Sequence, residues 1–89
     1  MASFDIFASM EYEEILQEII SIAGDHFSAE PGEIGPGTTA ADIPQWNSLS
    51  HVMLMARIEK EFGVKFELQD MINMERIEDM AGATHRMLS

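Results

Sequence analysis

The apolar residues of this chain fall into three helix-length stripes with one long interruption between the first and the second. Tyr12, Leu16, Ile19, Ala23 and Phe27, joined by Ile15, Ile20 and Ile22, recur at three- and four-residue spacing. That is the pattern of an amphipathic helix with a wide buried face. Glu11, Glu13 and Glu14 stand where the helix dipole favours acid, and Ser9 offers a capping oxygen, so a helix is predicted from about Met10 to Phe27. A second stripe spans Leu49 to Phe62 and stops at Gly63, where a left-handed residue commonly closes a helix. A third puts Ile77, Met80, Ala81, Thr84 and Leu88 on one side and predicts a helix from about Glu75 to Leu88. Between these two, Val64-Lys65-Phe66 reads as an extended connector and Glu67 to Ile72 as a brief helix or turn. No alternating run is long enough for a useful strand. The predicted class is all-α: a small bundle of three main helices plus one short helix.

The interruption, Ser28 to Gln45, holds all three prolines and three of the six glycines. Ile34 and Ile43 give it apolar anchors, so it reads as an ordered loop between the first and second helices rather than a linker. The helix that follows has two apolar faces. At about 100° per residue, Leu54, Met55, Ile58 and Phe62 form one arc. Leu49, Val52, Met53 and Ala56 form another on roughly the opposite side. One arc can pack into the bundle; the other is buried elsewhere or exposed for docking.

Length and charge narrow the class. Eighty-nine residues, 46% of them hydrophobic, make a single domain (1–89) with one small core, and residues 1–9 read as a flexible extension. Sixteen acidic residues against five basic ones give a net charge of −11. Such a chain is repelled by nucleic acid and by anionic membranes, and its charged partners should present basic patches. High like charge also favours a monomer. The absence of cysteine excludes disulfides and thiolate metal sites. No signal peptide and no membrane span are legible, so the expected compartment is the cytoplasm.

Residues suited to catalysis are sparse. His26, His51 and His85 are too scattered for a metal set, and the carboxylates read as a solvated acidic face with no calcium-loop spacing. The eight methionines read as pliable core filler. Ser48 and His51, three apart, could pair as nucleophile and base, but no oxyanion loop accompanies them, and His51 falls near the core arc. Ser48 also ends the loop and opens the double-faced helix. From position alone it reads as an N-cap serine, although a phosphate on its hydroxyl would lie among free N–H groups at the positive dipole end.

The local sequence decides between these readings. The run Ala41-Asp42-Ile43-Pro44-Gln45-Trp46-Asn47-Ser48-Leu49-Ser50-His51-Val52 resembles the modification-site segment of acyl carrier proteins, where the loop ends in Asp-Ser-Leu. The likeness continues through Leu54-Met55-Ala56-Arg57-Ile58-Glu59-Lys60-Glu61-Phe62-Gly63-Val64, similar to the family's recognition helix. Phe66, Met71, Met74, Ile77 and Met80 then match apolar positions of its third and fourth helices. The similarity spans about Thr38 to Leu88.

The resemblance implies a carrier, not an enzyme. A phosphopantetheinyl transferase would attach 4′-phosphopantetheine to Ser48, flanked by the motif residues Asn47 and Leu49. The thiol of that arm would then hold acyl groups as thioesters for loading and processing enzymes in fatty-acid, lipid or polyketide-type biosynthesis. Leu49, Val52, Met53 and Ala56 would form the partner-docking face, and Trp46 reads as a loop anchor in preference to a contact for the arm. Asn47 stands where the family usually has aspartate, and Ser50 and Met53 occupy places often acidic in fatty-acid carriers. These departures suggest a specialised carrier rather than a housekeeping one. Two alternatives share the fold: an aminoacyl or peptidyl carrier, and an unmodified interaction module. A small Ser/His hydrolase is a more distant one.

Overall fold

The computed structural model describes residues 10–30 and 32–88. The cap expected of Ser9 and the extension expected over residues 1–9 lie outside the described residues. Four helices follow in order: α1 (Tyr12–Phe27), α2 (Ser48–Phe62), α3 (Leu68–Asn73) and α4 (Ile77–Leu88). Among the described residues there is no strand, only an isolated antiparallel bridge between Thr39 and Arg76. The expected all-α bundle of three main helices and one short one is what the chain forms.

α1 starts two residues later than its apolar pattern suggests, because the acid cluster itself makes the start. The Glu14 carboxylate reaches back to accept the Glu11 N–H at 2.8 Å, the return half of a capping box. Its other end is closed by Ser28 in the left-handed region (φ 54°), with the N–H groups of Ser28 and Ala29 turned back onto the carbonyls of Asp25 and Gly24. The stripe is buried as expected at Ile15, Leu16, Ile19, Ile22, Ala23 and Phe27, while Tyr12 and Ile20 pack at its margin. The Tyr12 phenol lies beside α4. Desolvation, then the carboxylates of Glu78, Glu13 and Asp79, raise its pKa above the ordinary 10.0, so it remains protonated at neutral pH.

α1 packs against both α2 and α4, so the core lies along its inner face. α2 contributes Leu54, Met55, Ile58 and Phe62, the first of its two predicted arcs. α4 contributes Ile77, Met80, Ala81, Ala83 and Thr84. Leu88, expected inside, is only partly buried, and Ala83 takes a core place that the stripe did not predict. The start of α4 falls at Ile77, two residues beyond Glu75. Asp79 accepts the N–H groups of Glu75 and Arg76, while the loop carbonyls of Thr38 and Pro36 take those of Ile77 and Glu78. The loop is thereby bonded to the start of α4, and Ile34 and Ile43 are buried as its anchors.

One core group has no partner. Thr84 is fully buried, and no acceptor or donor among the described residues meets its Oγ1. Valine has nearly the same shape and a similar helix propensity but no hydroxyl to desolvate. Thr84→Val is therefore expected to stabilise the fold by about 1 kcal/mol, read as a higher denaturation midpoint. A lower midpoint would show that the hydroxyl is bonded after all.

Candidate functional site

The second arc of α2 is exposed. Leu49 is 71% accessible and Val52 and Met53 are each 53%, with Ala56 also open to solvent. On α3, Ile72 (69%) lines a groove together with Val52, and Leu68 (71%) is exposed as well. The sequence pattern points to the α2 part. It does not identify Leu68 or Ile72, because a six-residue helix is too short for a wheel to separate its faces.

At the head of this face the chain turns sharply into α2. Asp42 accepts the N–H of Thr39 at 2.9 Å, and Trp46 N–H bonds to the Ile43 carbonyl, so consecutive turns carry the loop inward to Trp46. Asn47 follows in an extended conformation and is the cap: its Oδ1 accepts the Ser50 N–H at 3.0 Å, and the Asn47 N–H bonds to Ser50 Oγ at 2.8 Å. The Ser50 hydroxyl in turn donates to the Gln45 carbonyl at 2.8 Å. Position alone suggested Ser48 as the capping residue; the structure assigns that role to Asn47, and Ser48 is the first residue of the helix proper. The reciprocal Asn47/Ser50 pairing was missed, although a capping residue with a hydroxyl three positions on was its signal in the sequence.

This transfer of roles frees Ser48. It is exposed, and its hydroxyl has no hydrogen-bond partner among the described residues. The backbone N–H groups of Ser48 and Leu49 likewise meet no acceptor there. They point out of the positive end of a 15-residue helix whose first turn contains no acid. An anion attached to Ser48 Oγ would meet two free donors and no opposing carboxylate in that turn.

Beside Ser48 lies an open groove of about 710 Å³. Thr39, Ala40, Ala41 and Trp46 of the loop line one part of it, and Ile72, Met74 and Glu75 at and after the end of α3 line another, the two walls joined where Thr39 bridges Arg76. Ser48, His51 and Val52 lie between them. Trp46 is placed as a loop anchor, 5% exposed and stacked on Phe27 with centroids 5.2 Å apart, and its remaining surface lines the groove. The indole Nε1–H donates to His51 Nδ1 at 3.0 Å. His51 Nε2 lies 2.9 Å from the Met71 carbonyl, while His26 Nε2 meets the Ser50 carbonyl at 3.1 Å.

Both ring nitrogens of His51 are therefore engaged, one by an indole and one by a carbonyl. Neither is directed to Ser48, so the two residues do not form a nucleophile and base. Among the described residues no group of three or more His, Asp or Glu side chains could hold a metal ion, and no helix is long and apolar enough to cross a membrane.

The fold and site define a small helical bundle with an unbonded hydroxyl at a helix start and a groove of mixed apolar and polar lining beside it. Such a site can anchor a group and lay it along the surface. No protein-family model matches the chain. Over 71 residues the chain is 28% identical to a protein named acyl carrier protein from Thermosynechococcus vestitus, a match covering 80% of this chain and 88% of that one.

Proposed function

We propose that the protein is an acyl carrier that bears 4′-phosphopantetheine on Ser48. The observation that carries this reading is the exposed, unbonded Ser48 hydroxyl at the start of α2, with two free N–H groups beside it and the groove adjoining. The similarity to an acyl carrier protein along most of both chains supports it.

The residues present fit the group. A phosphodiester on Ser48 Oγ would be favoured by the helix dipole and by the N–H groups of Ser48 and Leu49. The pantetheine part, amide and methylene in character, matches a groove whose lining mixes Val52, Ile72 and Met74 with Thr39, Asn47 and Glu75. When attached, the group supplies the thiol that holds an acyl chain as a thioester, chemistry that a chain without cysteine cannot supply itself. Attachment requires a transferase to bring coenzyme A. The Ser48 Oγ–phosphorus bond forms as the pyrophosphate bond breaks, adenosine 3′,5′-bisphosphate leaves, and the serine proton passes to solvent through the transferase.

Leu49, Val52, Met53 and Ala56 would present the docking face to the transferase and to the loading and processing enzymes, with Asn47 and Leu49 flanking the modified residue. The surface of α2 is less acidic than the chain as a whole, because Arg57 and Lys60 sit on it and Arg57 holds Asp25 of α1 at 2.9 Å. Contacts there should rest on apolar area more than on charge, which suits a specialised carrier serving its own enzymes. Met53→Glu is accordingly expected to raise the transferase KM about fivefold, the loss of one modest apolar contact. An unchanged or lower KM would overturn the apolar docking face. The reading as a whole is tested by intact mass after incubation with coenzyme A and a broad-specificity phosphopantetheinyl transferase: a gain of one phosphopantetheine supports it.

A further inference from the structure

The carrier reading leaves His51 without a role, yet this side chain ties together three parts of the molecule. An indole N–H can only donate, so the 3.0 Å contact with Trp46 requires Nδ1 of His51 to be the bare nitrogen. The ring proton is therefore on Nε2, which donates it to the Met71 carbonyl at 2.9 Å. Tautomer and ring orientation are both set by these partners. The His51 and Trp46 ring planes lie within 16° of parallel, and Trp46 rests in turn on Phe27 of α1. A continuous line of rings thus runs from α1 through the loop to His51 and ends on the backbone of α3.

Apart from this contact, α3 is held at its two ends, by Phe66 before it and by Met74 and the Thr39–Arg76 bridge after it. It is six residues long, none of them buried, and a helix of that length has no stability of its own in water. Leu68 and Ile72 face solvent, Met71 packs only partly on the core, and the nearest buried side chains are Phe66, two residues before the helix, and Met74, just beyond it. Segments with few buried apolar contacts open at low free-energy cost. The same segment supplies Ile72, Met74 and Glu75 to one wall of the groove, and the partner of His51 on the other side, Trp46, belongs to the opposite wall.

We propose that His51 is a positioning residue: a strut across the floor of the groove that holds the α3 wall at a set distance from the Trp46 wall. It thereby determines how firmly a chain attached to Ser48 is held. The second statement rests on the carrier reading; the first does not.

Two substitutions separate the strut from general packing. His51→Phe keeps an aromatic ring but loses both hydrogen bonds. His51→Gln loses the ring but retains an amide N–H that can reach the Met71 carbonyl. In the unmodified protein, the amides of Met71 and Met74, which bond to Glu67 and Asp70, are expected to exchange hydrogen about tenfold faster in His51→Phe. His51→Gln should restore much of that protection, while amides of α1 and α4 keep theirs in both variants. On protein carrying an acyl-phosphopantetheine, hydroxylamine should cleave the thioester faster in His51→Phe than in the unaltered chain, with His51→Gln between.

Unchanged α3 exchange in His51→Phe overturns the strut, and so does a loss of protection spread equally over α1 and α4. Faster α3 exchange with identical thioester cleavage overturns the claim that the strut governs the attached chain. If neither the unaltered protein nor Asn47→Asp accepts phosphopantetheine while a known carrier does in parallel, the carrier reading falls, and the exchange experiment alone judges the strut.

Discussion

Ser48→Ala is expected to abolish the gain in mass that the unaltered chain shows with coenzyme A and a phosphopantetheinyl transferase. The effect should be complete, because among the described residues no other side chain combines exposure, an unbonded hydroxyl and the free donors of the α2 start. The variant is also a clean one. Asn47 rather than Ser48 caps the helix, and the Ser48 hydroxyl has no partner among the described residues, so its removal leaves no broken bond. Alanine is the better helix former at an exposed position, so stability should stay within about 0.5 kcal/mol of the original. A retained mass gain in Ser48→Ala would move the attachment to another residue. No gain in the unaltered chain, with a known carrier modified in a parallel reaction, would leave two explanations, and Asn47→Asp separates them. Aspartate caps as well as asparagine does, so the turn would survive with one added charge beside Ser48. Modification restored by Asn47→Asp would show that a broad transferase reads that charge. Modification still absent would favour the interaction module, with the carrier fold kept and the chemistry lost.

How far the sequence alone reaches depends on whether the determining contacts are local. The core faces of α1, α2 and α4 were legible because each repeats at helical spacing, and Gly63 marked the stop of α2 with a left-handed residue (φ 68°). The anchoring of the loop by Ile34 and Ile43 was legible too, since isolated apolar residues in a polar stretch have few other uses. Helix starts were less so. At α1 and α4 the first turn is organised by carboxylates reaching back, Glu14 to Glu11 and Asp79 to Glu75 and Arg76, and charge clusters do not mark a boundary as clearly as an apolar stripe does. At α2 the cap fell one residue earlier than position alone suggested. That displacement matters most, because it converts Ser48 from a structural hydroxyl into a free one. His51 was legible only as a residue near the core arc, and its partners were not. Its partners are five and twenty residues away, and only the folded chain brings the indole of Trp46 and the carbonyl of Met71 to opposite edges of one imidazole.

Trp46→Ala should be the most destabilising substitution near the site, and the reason links the loop to the function proposed for it. The side chain is 5% exposed, stacks on Phe27 at 5.2 Å and bonds through its N–H to His51. Truncating a buried indole to a methyl group costs about 3–5 kcal/mol, and a domain of this size is stabilised by only about 5–15 kcal/mol in all. Denaturant unfolding should therefore show the midpoint falling by a large fraction of its original value. Trp46→Phe separates the two contributions. It keeps a six-membered ring against Phe27 but loses the N–H and the remainder of the indole, so the stability loss should be smaller than for alanine by about 2 kcal/mol. Yet it leaves His51 Nδ1 without its donor, which frees the ring to turn and releases the Met71 carbonyl. Faster hydrogen exchange in α3, out of proportion to the modest loss of global stability, is the expected result. A Trp46→Ala variant within about 1 kcal/mol of the original would show that the loop does not depend on this anchor. In that case the wall of the groove beside Ser48 would have to be held by Ile43 and the bonds to α4 alone.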